Sequence, residues 1–142
     1  MKHVAMFSSF LSLALLLSLQ VHGDDAAQAA KETPLMIKRL PDVPGKEALL
    51  EKVVLAPGQV ASPHRHNADV FVYVLEGTIV TQLKGGLPRT LHAGEVFYES
   101  PTDIHNGSRN ASSVDPATLL VFFVKKIGAA ATFPLPAVDG AH

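Results

Sequence analysis

The stretch Gly58-Gln59-Val60-Ala61-Ser62-Pro63-His64-Arg65-His66 decides how this chain is read, together with the apolar run Val70-Phe71-Val72-Tyr73-Val74-Leu75 that follows it and stops at Glu76-Gly77. In extended backbone, residues i and i+2 point to the same face. His64 and His66 therefore project side by side, and Arg65 points the other way. A third histidine, His105, stands six residues after the acidic Glu99 with the turn Ser100-Pro101-Thr102-Asp103 between them. Histidines brought together in this way suit a metal ion better than packing, whereas a lone histidine is more often a core or surface residue.

Working outward, short β-branched and aromatic runs alternate with turn signals. Leu49 to Leu55 stops at Pro57-Gly58, and Thr78 to Leu83 stops at Lys84-Gly85-Gly86, which suits a hairpin with positive φ. Arg89 to His92, Glu95 to Glu99, Ile104 to Arg109 and Leu119 to Lys125 follow. Strands at intervals of about 8–12 residues are the mark of an antiparallel sandwich or barrel. The fold class expected is all-β. Asp24 to Thr33 reads as a polar, alanine-rich arm, Ile37 to Gly45 as a lead-in with turns, and the residues after Gly128 as a tail lying loosely outside.

The first residues have a different character. Lys2 precedes an apolar stretch from Val4 to Gly23, rich in Leu and Phe, and Asp24-Asp25 opens a polar segment. This is the pattern of a secretory signal peptide removed after about Gly23. The expected organisation is signal peptide 1–23, arm and lead-in 24–47, β-barrel 48–127 and tail 128–142. An exported location, periplasmic or secreted, follows, with no stable membrane span after cleavage. The chain has 142 residues and no cysteine, so one core must hold it without disulfides. Lys and Arg number 12 and Asp and Glu 13, with no basic stripe, which argues against nucleic acid as a partner. Asn106-Gly107-Ser108 and Asn110-Ala111-Ser112 are glycosylation acceptor patterns.

Gly58 to His66 resembles the first half of the first cupin motif, G-x5-H-x-H, and Gly94 to His105 resembles the second, with glycine and histidine eleven positions apart. The resemblance covers Gly58 to about Asn110 and implies a small single-domain cupin, a double-stranded β-helix of jelly-roll type holding one divalent metal. Two departures stand out. The family's first motif places a glutamate ligand four residues after its second histidine, where this chain has Val70. In the second motif the proline and glycine columns read Ser100 and Thr102, and the asparagine is displaced by one to Asn110.

Glu99 offers a repair. It shares a strand face with Phe97 by period two, and in the cupin fold that face is the barrel interior. A lone carboxylate there is costly unless paired, protonated or bound to metal. The expected ligand set is His64, His66, Glu99 and His105. A set of imidazoles and a carboxylate without thiolate suits Fe, Mn, Ni, Cu or Zn. Val72, Val74, Phe97 and Phe122 are expected to keep the cavity apolar. The candidate catalytic residues are Glu99, Asp69 and Tyr73. Asp69 would serve only if a bulge turned it inward.

The resemblance implies several functions. The first is a dioxygenase-like oxidoreductase acting on a small oxygen-chelating organic substrate. The alternative is an exported binding module for a metal, a sugar acid or another small molecule. Metal-assisted isomerisation or hydrolysis would need an inward acid or base, with Asp69 or Tyr73 the candidates. Fold alone does not rank these. Pairing through edge strands into a homodimer is a further expectation.

Overall fold

The alternation that sets the architecture is clearest in the strand Ala117–Lys126, where Ala117, Leu119, Val121, Phe123 and Lys125 are all buried and the residues between them are less so. A strand of this pattern needs one apolar layer against it, and a second sheet supplies that layer. In a computed structural model describing residues 29–135, ten strands form two five-stranded antiparallel sheets. In chain order they are β1 (Lys31–Arg39), β2 (Lys46–Leu55), β3 (His64–Arg65), β4 (Asp69–Glu76), β5 (Thr78–Leu83), β6 (Arg89–His92), β7 (Val96–Glu99), β8 (His105–Asn110), β9 (Ala117–Lys126) and β10 (Phe133–Pro134).

One sheet runs β1-β2-β9-β4-β7 and the other β10-β3-β8-β5-β6. The jelly-roll barrel expected from the sequence is the fold observed. The core lies between the sheets, with Val70, Val74, Ile79, Ala117 and Phe123 essentially without solvent contact. Burying a valine, isoleucine or phenylalanine side chain stabilises the fold by roughly 1.5–3 kcal/mol. Among the described residues no helix is long and apolar enough to cross a membrane. The signal peptide expected at 1–23 lies outside the described residues.

Two segments differ from the reading of the sequence. The stretch expected as arm and lead-in contains β1, a nine-residue strand paired with β2 along its length. Thr33-Pro34 and the later prolines look like punctuation, yet β1 lies at a sheet edge, where a proline removes no required donor, and the register shifts between Pro34 and Met36. The tail is also not loose, because Phe133 and Pro134 pair with Arg65 and His64. Asn110, the displaced motif asparagine, is 2 % exposed, and its amide donates to the Ala56 carbonyl (3.1 Å) and the Asp115 carbonyl (2.8 Å). It ties the loop after β2 to the loop after β8 and is shielded from any glycosylating enzyme in the folded chain. Asn106 is exposed.

Candidate metal centre

The site forms where the two sheets face each other. His64 on β3 pairs directly with His105 on β8, so their side chains share a face and their rings lie 4.8 Å apart between centroids. His66 follows two residues after His64, with ring centroids 4.7 Å apart. The chain turns immediately afterwards at Asn67, whose φ of 49° is the positive value that asparagine tolerates better than most residues. Glu99 comes from the opposite sheet at the end of β7. Gly107, in β8 between His105 and Asn110, is crowded by the loop that carries β3. A Cβ built there would meet the Ala61 carbonyl oxygen at 2.1 Å, and its φ is 112°.

Each histidine has one nitrogen fixed by the protein and one left for the cavity. His64 Nδ1 donates to the Ser62 carbonyl (2.7 Å), and His66 Nδ1 donates to the Ala131 carbonyl (2.9 Å). His105 Nε2 bonds to the Thr81 hydroxyl (2.8 Å) and lies 3.2 Å from that of Ser108. A carbonyl oxygen can only accept, so these contacts place the protons of His64 and His66 on Nδ1 and leave lone pairs on Nε2. Those two Nε2 atoms are 3.1 Å apart. Two lone pairs at that distance repel unless a cation sits between them. His105 Nδ1 is buried without a hydrogen-bond partner. The three residues offer ligand atoms all within 4.8 Å of one another, so they could hold a metal ion.

Glu99 faces the same centre. Its carboxylate oxygens are 3.6 Å from His66 Nε2 and 3.4 Å from His105 Nδ1, and the residue is 2 % exposed. Its position follows from register, because Glu99 pairs directly with Val70, and opposite residues of an antiparallel pair share a face. Its carboxylate therefore stands one strand over from the place where the family carries its glutamate. Burial, and secondarily the charge of Asp103, pushes its pKa up to about 7. Burial also lowers the pKa of His66 to about 4 and that of His105 to about 3, with the neighbouring histidines adding to both shifts. Both rings are neutral at neutral pH, the state a metal requires. The donor set, the tautomers and the orphaned nitrogen all fit a divalent ion held by His64, His66 and His105 beside Glu99.

Asp69 and Tyr73, the other candidate catalytic residues, lie on the opposite face of β4. Asp69 accepts a hydrogen bond from the Tyr98 hydroxyl (2.7 Å), and Tyr73 is exposed. No bulge turns Asp69 inward, and the alternation of β4 keeps Val70, Val72 and Val74 on the inner face. The expectation for Phe122 is corrected in the same way. It packs against Phe71 on the outer side (ring centroids 6.3 Å apart), while its neighbour Phe123 lies against His66. Val72, Phe97, Val121 and Phe123 line a cavity of about 370 Å³ that opens from the histidines and Glu99. Four contributors fall outside the reading of the sequence, namely Thr81, Ser108 and the Ser62 and Ala131 carbonyls. The two hydroxyls carry a signal, since inward alternation in β5 and β8 points them at His105. The carbonyls carry none.

A three-histidine cluster that could hold a metal ion, with His66 and His105 buried and His64 half-buried, beside one carboxylate in a jelly-roll barrel, is the arrangement of the cupin class. A family profile described as "Cupin domain" matches residues 51–123, and the chain belongs to that family. Among solved structures it is similar to the DMSP lyase DddQ from Ruegeria pomeroyi DSS-3 (TM-score 0.64, 19 % identity), covering 84 % of this chain and 57 % of that one. The chain thus spans little more than half the length of that lyase. It is also similar to TT1209 from Thermus thermophilus (TM-score 0.54, 28 % identity, 68 % of this chain and 84 % of that one). A cupin domain from Bordetella pertussis Tohama I matches with TM-score 0.54 and 17 % identity, over 68 % of this chain and 94 % of that one. Among curated proteins none matches the chain. The lyase and the Bordetella domain, both below a quarter identity, establish the fold alone.

Proposed function

We propose that this protein is a metal-dependent oxidoreductase that acts on a small organic molecule chelating the metal through oxygen. Its ligands are His64 Nε2, His66 Nε2, His105 Nδ1 and the carboxylate of Glu99. The observation that carries the reading is the convergence of the His64 and His66 Nε2 lone pairs and the unpartnered His105 Nδ1 beside Glu99, at the wall of an apolar cavity large enough for a small ligand. A bound divalent ion would polarise a chelating oxygen ligand and, with a redox metal, admit dioxygen chemistry. The chain's own part is to hold the three imidazoles by their outward nitrogens, on the Ser62 and Ala131 carbonyls and the Thr81 hydroxyl, and to exclude water with Val72, Phe97, Val121 and Phe123. Iron, manganese, nickel, copper and zinc all suit this donor set.

The acid–base alternative, isomerisation or hydrolysis, loses its two nominated groups, because Asp69 and Tyr73 face away from the cavity. Oxygen uptake by the iron, manganese and nickel forms with a panel of enols and phenols tests the oxidoreductase reading. Uptake with at least one pair is expected. A flat trace throughout, combined with stabilisation by the same compounds, would instead assign the protein as a binding module, since a binder raises stability without forming product. Export of the mature chain from about Asp24 is part of the proposal. N-terminal sequencing of the protein recovered outside the cytoplasm should begin near that residue.

A further inference from the structure

Among the described residues three glutamates are buried, namely Glu47, Glu51 and Glu99. Two have local explanations. Glu47 accepts from Lys125 Nζ (2.5 Å) and from the Gly128 amide (3.0 Å). Glu99 faces the imidazoles. Glu51 has neither a hydrogen bond nor an ion pair among the described residues, is only 7 % exposed, and lines the same cavity as the histidines. The alternation of β2 makes it point inward, in step with Leu49 and Leu55. Glu32 of β1 also borders the cavity. Because Glu51 pairs with Pro34 and Glu32 with Val53, the two glutamates are diagonal neighbours across β1 and β2, roughly 7–8 Å apart between Cα atoms.

We infer that Glu51, with Glu32 beside it, forms a subsite for a cationic group such as a protonated amine, and that the natural ligand carries that group at the end opposite its metal-binding oxygen. Glu51 is covered except where its carboxylate meets the cavity, so that carboxylate is poorly solvated, and the exposed carboxylate of Glu32 nearby makes its charge less favourable still. Both burial and the charge of Glu32 push the Glu51 pKa up, and an organic cation relieves both. Lys125 attracts Glu51 only at a distance, its ammonium being engaged with Glu47 and with the Ala129 carbonyl at 2.7 Å. A second metal ion fits less well, since hard cations such as calcium take six to eight oxygen ligands. Here two carboxylates stand beside the apolar side chains of Val53, Leu55 and Val121. Such walls suit the alkyl portion of an amine.

The length of the ligand also follows from register. Glu51, Val121, Val72 and Phe97 form one row across β2, β9, β4 and β7, and Leu49, Phe123, Val70 and Glu99 form the row beside it. Three strand spacings, about 14 Å along the sheet, separate the strand of Glu51 from that of Glu99. Inward-reaching side chains and barrel curvature shorten the gap, so an elongated molecule spans it. The oxygen end of this ligand rests on the metal reading above, whereas the cationic end stands without it.

The test is calorimetric titration of zinc-loaded and metal-free protein with ω-amino carboxylates of increasing chain length and with straight-chain carboxylates of matching length. At one chain length the amino compound should bind about tenfold or more tightly than its partner, a gap near 1.4 kcal/mol, and added salt should narrow the gap. Glu51→Gln should remove most of the preference with zinc stoichiometry unchanged, and Glu32→Gln should remove part. Equal affinities in the wild-type protein, binding of neither series, or a preference that survives Glu51→Gln would each overturn the inference. If zinc fails to bind while metal-free protein still prefers the amines, the metal reading falls and the cationic subsite stands. If zinc binds and the preference is missing, the reverse holds.

Discussion

At the scale of single residues, the site is organised by which nitrogen of each histidine is already engaged. Replacing His64 or His105 with alanine should abolish stoichiometric metal, and Glu99→Ala should weaken binding. Metal analysis after dialysis distinguishes these outcomes, and undiminished metal in the Glu99 variant would remove that residue from the ligand set. Thr81→Val touches no ligand atom but takes away the oxygen that holds His105 Nε2. Loss of such an outer partner lowers metal affinity by about 10–100-fold, which chelator competition would measure. Gly107→Ala should destabilise the fold by at least about 2 kcal/mol, because the new methyl group collides with backbone, and denaturant melts would show it. The histidines are legible in the sequence, since a two-residue period fixes the facing of His64 and His66 whatever the fold. Glu51 is not, although the same period puts it on the face of Leu49 and Leu55. A carboxylate inside a strand reads as solvated until its neighbours are known. The Ala131 carbonyl has no sequence signal at all, because every residue has one.

At the scale of elements, the strands are readable wherever both faces obey alternation. Thr78–Leu83 and Arg89–His92 have the bounds the sequence indicates, and Ala117–Lys126 extends slightly further than expected. β1 and β10 escape notice because edge pairing tolerates proline and two-residue strands have no period to detect. Both matter to the architecture around the site. The segment after β9 carries the Ala131 carbonyl to His66, and β10 backs His64. Removing the chain from Gly128 onward should therefore lower metal affinity although every ligand remains, as metal titration of the shortened protein would reveal. The start of this segment is held by Glu47, bonded to Lys125 and to the Gly128 amide. Lys125 above all keeps the Glu47 pKa below its ordinary value. The stabilisation from Glu47 is therefore complete above the ordinary carboxylate range and disappears as pH falls through the lowered value. Melting temperatures across the acid range should fall less steeply for Glu47→Gln than for the native chain.

At the scale of the whole molecule, stability rests on one apolar interior with no cysteine to brace it. A reductant should leave the melting temperature unchanged. A divalent metal should raise it, by about 2.7 kcal/mol of unfolding free energy at a hundredfold excess over the dissociation constant, and a chelator should reverse the gain. Among the described residues the interior also shows three treatments of a buried glutamate in one small barrel. One carboxylate is matched by a lysine, one is set among imidazoles, and one is left facing open space.

The pairing of Val70 with Glu99 reaches beyond this chain. Adjacent antiparallel strands offer interchangeable anchor points, so an acidic group can migrate sideways between them with the main chain undisturbed. Column-by-column comparison scores such a protein as lacking the carboxylate, although one stands on the neighbouring strand. Inspecting the cross-strand partner of every apparent vacancy would recover relatives that motif counting discards.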